Sequence, residues 1–452
     1  MELLSLSATR MAQMIRERQI SSVDLVQAHL DRIAEVNPKI NAAIEVFGES
    51  ALAEARAADA VPPRGPLHGV PFSVKDSIAV AGHACTAGTL GRKHSAPAAE
   101  DATLVARLRA AGAIPIARTN LPDLLFAFES DNLLFGATKN PHDLSRTSGG
   151  SSGGEAALIA AGGSPMGLGS DAAGSVRLPA AFCGIAAIKP TSGRLPRTGH
   201  VPPAGGWIEA LWQIGPMARR VEDLVTMMPL LAGTDGCDQT CVSMPVRDPG
   251  EVDVRKLRVA FYTDNGIAAA GPEVARVVRT AAARLNAFED RPGCLDQAYE
   301  LEMKFLGPDG GDGLWRYLEA IGSTSVHPLL AGWLEKLRPY RTDVAGFAGY
   351  WAELDRFRAG MFAFLQRYDA IVCPVYPQPA LPLGASIEDE NFRGFSHTMA
   401  YNLTGWPAAV VRCGESESGL PIAVQVVAAP WREDLALAVA GWLENQSLPW
   451  AG

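Results

Sequence analysis

Apolar residues recur at helical spacing near the start of the chain. Met11, Met14 and Ile15 share one face of a first amphipathic helix, and Val23, Val26, Leu30 and Ile33 mark a second. Ser21 or Ser22 is placed to cap that second helix. A Pro- and Gly-rich loop, VPPRGPLHG, leads into a short apolar run from Val70 to Val74. Asp101 opens a helix through Val105 and Leu108 that stops at Gly112, and Ile114 to Ala117 reads as a strand directly after it. This helix–Gly–strand rhythm predicts a largely parallel sheet with crossover helices. Further on, EAALIAAGG predicts a helix, and PMGLG and GIAAIKPT predict short buried strands. PEVARVVRTAAARLNAF predicts a helix within a mixed stretch over 231–364. DAIVCPVY, AAVVRC and PIAVQVVA return to strand, the last two joined by a Gly-containing turn, before a final helix from Asp434 towards Glu444. No internal repeat is present. Burying this much Val, Ile, Leu and Ala calls for an α/β fold, with a central sheet covered by helices on both faces.

At 452 residues the chain is past the roughly 250–300 at which single cores stop growing. One large α/β domain with embellishments is therefore expected, or two domains sharing a core. With 48% hydrophobic and 20% charged residues the chain is globular rather than disordered. Its net charge of −9 makes it a poor fit to a nucleic-acid backbone. No stretch approaches the ~18–20 apolar residues of a spanning helix, and MELLSLSATRMAQMIRERQ lacks the order of a secretory leader. The expectation is no membrane and no nucleic-acid partner. Most of the seven cysteines sit among apolar neighbours, as in IVCP and AAFCG, which points to reduced thiols and a cytoplasmic setting. Cys237 and Cys241 are the one close pair. No His or second Cys pair stands nearby to complete a zinc set, so no metal is expected.

Three segments carry candidate chemistry. Lys75 follows the apolar run in GVPFSVKDS, so it sits at the inner end of a buried strand. Most such lysines are strand-end surface residues, but a desolvated amine is how a lysine becomes a base. TSGGSSGGEAA (147–157) puts two serines among glycines ahead of a helix. It reads as a Gly/Ser connector, or as a close backbone approach with free helix N–H groups. Gly149, Ser151 and Gly153 formally match G-x-S-x-G, yet that elbow wants a hydrophobic strand before it, and NPHDLSRTS reads as no strand. A P-loop is excluded because no Gly-Lys-Ser/Thr follows. In GSDAAGSVRLPAAFCG (169–184), Ser175 lies in a turn ahead of a short helical piece near Arg177. Successive N–H groups of Ala172, Ala173, Gly174 and Ser175 suit an oxyanion nest, or simply a tight loop. Of the eight histidines only His397 comes late enough for a hydrolase triad. A serine nucleophile without histidine needs another base, and a buried neutral lysine is the known substitute.

On these residues the chain resembles the amidase signature family. The resemblance is carried by GGSSGGEAA, GLGSDAAGSVRLPAAFCGIAAIKPT, GVPFSVKD and the 24-residue separation of Ser151 and Ser175. FGATKNP, GPMARRVEDL and GLPIAVQVVAAPWRED support it. It implies one amidase domain over 1–452. Within it lie a helical segment over 1–60, a catalytic core over 65–230, a variable substrate-pocket region over 231–364, and a C-terminal sheet and helix part over 365–452. It implies a mixed twisted sheet and hydrolysis of carboxylic amide C–N bonds, with esters, aryl amides and carbamates or urethanes also in range. Ser175 is then the acyl-forming nucleophile, Ser151 the bridging serine after a cis peptide bond, and Lys75 the base. Ser152, Ser170, Asp171 and Arg177 brace the site, and Ala172, Ala173, Gly174 and Ser175 form the oxyanion hole. Leu125, Phe126, Phe128, Gly149 and Gly150 meet substrate. No cofactor is implied, and the chain is expected to act as a monomer or homodimer. The same family includes the glutaminase-type subunit of tRNA-dependent amidotransferases, which is the alternative reading; a non-catalytic anion-binding module is another. Two residues depart from the pattern. Ala173 replaces a glycine, a strain if that position has positive φ. Leu178 stands where members of the amidotransferase type carry Gln. Asp76, next to Lys75, would hold the amine charged if it approached, so its carboxylate is expected to be engaged elsewhere.

Overall fold

The computed structural model describes residues 3–203 and 206–446. Its strands are β1 (Ala43–Val46), β2 (Pro71–Lys75), β3 (Ile114–Thr119), β4 (Lys139–Asn140), β5 (Asp143–Thr147), β6 (Met166–Asp171) and β7 (Ala186–Lys189). Then come β8 (Gln213–Ala218), β9 (Val259–Phe261), β10 (Phe288–Glu289), β11 (Ala370–Pro374), β12 (Ala408–Glu415) and β13 (Pro421–Ala428). Eleven of them form one sheet of order β1-β3-β2-β6-β8-β7-β12-β13-β11-β9-β10. Side chains alternate across it, as a period of two requires. Val424, Val426 and Ala428 enter one core cluster, while Ala423 and Val427 enter clusters on the other side. Helices cover both faces. Ala8–Arg16, Thr103–Ala110, Val221–Leu231 and Glu433–Gln446 share the first cluster, and Ser22–Ile40, Gly153–Ala160 and Arg177–Cys183 share the second.

The local signals explain the elements they announced. Ser21 caps the helix Ser22–Ile40, taking the Asp24 N–H at 3.0 Å, and Asp24 returns the bond in a capping box. The run before Lys75 became β2, whose five residues are all buried because strands lie on both edges and helices on both faces.

Two expectations are corrected. The sheet is mixed, as the family resemblance implied, and not the largely parallel one that the helix–Gly–strand rhythm predicted. Among the described strands, only β2 with β3 and β6, and β9 with β10 and β11, pair in parallel. The short turn between β12 and β13 allows only an antiparallel pair, and β8 runs antiparallel to both β6 and β7. NPHDLSRTS, read as no strand, contains β5, paired with β4. The hairpin is polar and only partly buried, held by side chains that cap its backbone. Asn140 takes the His142 N–H at 3.0 Å and Asp143 takes that of Ser145 at 2.9 Å. It therefore has no hydrophobic signature.

The 231–364 stretch builds a third apolar cluster beside the sheet. The helices Asp312–Ala320 and Pro328–Leu337 supply Leu318, Leu330, Trp333 and Leu334, which pack with Phe128, Phe392 and Phe395. No helix among the described residues is long and apolar enough to cross a membrane.

Candidate active site

Lys75 closes β2 between β3 and β6, and its side chain is fully buried. Three hydroxyls surround the amine. Nζ lies 2.7 Å from Ser151 Oγ, 2.9 Å from Ser152 Oγ and 3.1 Å from Ser170 Oγ, with the Ser170 carbonyl oxygen at 3.3 Å. Ser170 comes from the neighbouring strand β6; Ser151 and Ser152 come from the Gly/Ser loop after β5. The Gly150–Ser151 peptide is cis. The loop is pinned to the expected nucleophile's turn, because Ser152 N–H donates to the Ser175 carbonyl oxygen at 3.1 Å. Ser151 and Ser175 line one cavity.

The electrostatics favour a neutral amine. Burial pushes the Lys75 pKa well below its ordinary value, against the opposing pull of Asp171 and Glu155. Burial also lifts Glu155 to about 8, so this carboxyl is largely protonated at neutral pH and does little to hold charge on the amine. Ser73 and Thr119 donate hydroxyl hydrogen bonds to it. Asp76 is engaged elsewhere, by the Thr86 hydroxyl, the Thr86 N–H at 3.1 Å and Arg118 at 3.3 Å.

Asp171 organises the turn before Ser175. Burial would raise its pKa, but the charge and paired hydrogen bonds of Arg177, with Asn402 and Lys189, hold it below the usual carboxylate range. Arg177 meets it twice at 3.0 Å, and both side chains are fully buried. The carboxylate also takes the N–H of Gly174 at 2.8 Å and of Val176 at 3.1 Å. The expected oxyanion donors are thus reduced by one: the Gly174 N–H is occupied and Gly174 does not line the cavity. Ala172, Ala173 and Ser175 do line it. Gly174 is at φ +128°, and a Cβ there would collide with Thr398 Oγ1. Ala173 has no positive φ, so replacing a glycine there brings no backbone strain. Arg177→Met should destabilise the protein by about 3–5 kcal/mol, since it strands a buried carboxylate. A lowered thermal midpoint relative to wild type is the expected reading.

The cavity is lined by Leu124, Leu125, Phe126, Phe128, Ile208, Trp212, Leu306 and Trp333, together with Ser151, Ser170, Asp171, Ser175 and His200. Phe128 stacks on Phe395 with ring centres 3.6 Å apart and lies 5.4 Å from Trp333. Leu124 and Leu125 both hold positive φ, +47° and +67°, a conformation that side-chain-bearing residues rarely adopt. Leu125, Phe126 and Phe128, expected to meet substrate, lie in the wall of this cavity. Gly149 and Gly150 do not line the cavity. A Cβ on Gly150 would come within 2.6 Å of Glu129 N and 2.7 Å of Ala127 O, so that glycine permits two backbones to touch.

Several residues escaped the sequence reading. Trp212, Ile208, Leu306 and Trp333 reach the cavity from segments with no motif. His200 touches the site, with Nε2 3.1 Å from Ser170 Oγ. Its only signal is its place in the turn-rich TGHVPP, where Gly199 holds φ +88°. His397, the one histidine ordered for an elbow-type triad, is buried against Ala268 O at 2.8 Å, stacks towards Tyr262 and does not line the cavity. Among the described residues no group of three His, Cys, Asp or Glu is arranged to hold a metal ion.

The family model named Amidase matches residues 24–292 and 325–437. A glutamyl-tRNA(Gln) amidotransferase subunit from Roseiflexus castenholzii is 34% identical, over 97% of this chain and 95% of its own length. The acylamidase of Rhodococcus erythropolis is 33% identical, over 99% and 96%. Among solved structures, 6-aminohexanoate cyclic dimer hydrolase with its substrate superposes with a TM-score of 0.87 at 30% identity, covering 99% of this chain and 98% of the other.

Proposed function

Because the chain belongs to the amidase family of amide-hydrolysing enzymes, we propose that it cleaves amides of apolar acyl or aryl groups through a Ser175 acyl-enzyme. The observation that carries this is a fully buried lysine amine, favoured neutral, bonded to Ser151 in the cavity that also contains Ser175. The neutral amine of Lys75 takes the proton of Ser151, and Ser151 Oγ takes that of Ser175. Ser175 Oγ bonds to the substrate carbonyl carbon, and the oxyanion is met by N–H groups among Ala172, Ala173 and Ser175. The C–N bond breaks as Ser151 delivers its proton to the leaving nitrogen and recovers one from Lys75. Water then attacks the ester, losing its proton along the same route, and the acid leaves as Ser175 regains its hydrogen. Direct protonation of the leaving group suits amide nitrogens, which leave poorly. Esters and carbamates present the same carbonyl to the same nucleophile.

The wall composition favours an apolar acyl group. Glutamine brings an ammonium and a carboxylate, and burying either without a partner costs several kcal/mol. The described lining offers one formal charge, Asp171, already matched by Arg177. The resemblance to the amidotransferase protein supports a second reading, in which the chain releases ammonia from glutamine within a larger complex. A panel of aliphatic amides, anilides, carbamates and glutamine separates the two. Hydrolysis of apolar amides by the isolated chain, with glutamine left intact, is the expected result. Ammonia release from glutamine alone would replace the first reading with the second.

A further inference from the structure

Lys75 has more neighbours than a neutral amine has hydrogens. The amine carries two hydrogens and one lone pair, and three hydroxyls and the Ser170 carbonyl oxygen compete for them. Proton transfer from Ser151 requires the lone pair to face Ser151. His200 decides that competition. Its Nδ1 lies 3.0 Å from the Pro202 carbonyl oxygen, which can only accept, so Nδ1 carries the hydrogen. Burial above all lowers the ring pKa to about 3, so the imidazole is neutral and Nε2 is a bare acceptor. Ser170 Oγ, 3.1 Å away, must therefore donate its single hydrogen to Nε2. It has none left for the amine and can only accept from Nζ. Ser152 behaves alike: its hydroxyl has the Ser170 carbonyl oxygen at 3.3 Å as acceptor. The amine hydrogens then face acceptors alone: the Ser170 and Ser152 hydroxyl oxygens and the Ser170 carbonyl oxygen at 3.3 Å. The lone pair is left for Ser151, at the shortest of the three distances, 2.7 Å.

We infer that His200 is a positioning residue: acting through the Ser170 hydroxyl, it orients the amine of Lys75 so that its lone pair receives the Ser151 proton. This rests on Lys75 being the base of the proposed function. Without the imidazole acceptor, the Ser170 hydroxyl turns and offers its own hydrogen to the amine, in competition with Ser151. His200 itself neither gains nor loses a proton.

The test reads activation of Ser175 by its rate of labelling with a fluorophosphonate, which requires no knowledge of the substrate. His200→Phe keeps a ring beside Trp212, now 4.6 Å from the imidazole, and removes the acceptor. Labelling should slow on the order of ten- to a hundredfold. His200→Gln, whose carbonyl oxygen can take the Ser170 hydrogen, should recover most of that loss. In a Ser170→Ala background His200→Phe should add nothing further. An undiminished effect there, an unchanged labelling rate in His200→Phe, or a change confined to KM for an amide substrate would each overturn the proposal. A measurement on the unaltered protein guards against a variant that does not fold. Nitrogen-15 spectra of labelled histidine should show His200 as the neutral Nδ1–H tautomer at neutral pH, and an Nε2–H or cationic ring would overturn it. Turnover of an acyl anilide is scored separately, so intact labelling without amide hydrolysis counts against the substrate reading alone.

Discussion

Ser175→Ala should abolish amide turnover and fluorophosphonate labelling while leaving the fold in place. The substitution removes one oxygen from a side chain that bridges no core contact. Its backbone bond to Ser152 N–H survives, because that bond uses the carbonyl oxygen. What disappears is the atom that, in the proposed mechanism, bonds to the acyl carbon, and neither Ser151 nor Ser152 can replace it without leaving the amine they surround. A residual rate above that of solution, with the label found on Ser151, would move the nucleophile into the Gly/Ser loop. Far-ultraviolet circular dichroism and the thermal midpoint should match the parent, which separates lost chemistry from lost structure.

Lys75→Met should lower kcat by about 10⁴-fold or more, in the range found when a member of a catalytic unit is removed. Methionine matches the length and the apolar surroundings of the stem, so the loss reads as chemistry rather than collapse. Lys75→Arg should be as inactive, because a guanidinium stays charged and cannot accept a proton. The same reasoning fixes the pH dependence. The Lys75 pKa lies well below its ordinary value, and the proposed mechanism needs the neutral amine. The kcat/KM of the parent should therefore fall on the acid side as the amine protonates, with a midpoint well below the ordinary lysine value, and level off above it. A rate that climbs only near the ordinary lysine pKa of about 10.4 would mean a wet, unperturbed amine.

Much of this site could be read along the chain because its parts sit at element ends. Lys75 was legible as the last residue of an apolar run, and Ser175 and Arg177 as the junction between a strand and a short helix. What was hidden depends on partners far away in sequence. The Gly174 N–H looks like a neighbour of its free companions until Asp171 is seen to claim it. Gly149 and Gly150 look like loop flexibility until Pro179 is seen against the first and the 127–129 backbone against the second. β5 carries no apolar alternation because its bonds are made by its own Asp and by Asn140. The cavity wall draws on Leu125, Trp212, Leu306 and Trp333, brought together only by the completed sheet and the helices beside it. His200 acts at second hand, through another side chain's hydrogen, and no residue spacing encodes that.

The sealing of Lys75 behind β2, β6 and the Gly/Ser loop has a consequence for the life of the chain before it is finished. On the ribosome, or in any loosened state, that amine is hydrated and cationic, and the serines near it are ordinary alcohols. On the proposed mechanism, hydrolytic power arrives when β2, β6 and the Gly/Ser loop close over the amine and departs when they part, so a half-made or damaged copy is chemically harmless to the amide bonds around it.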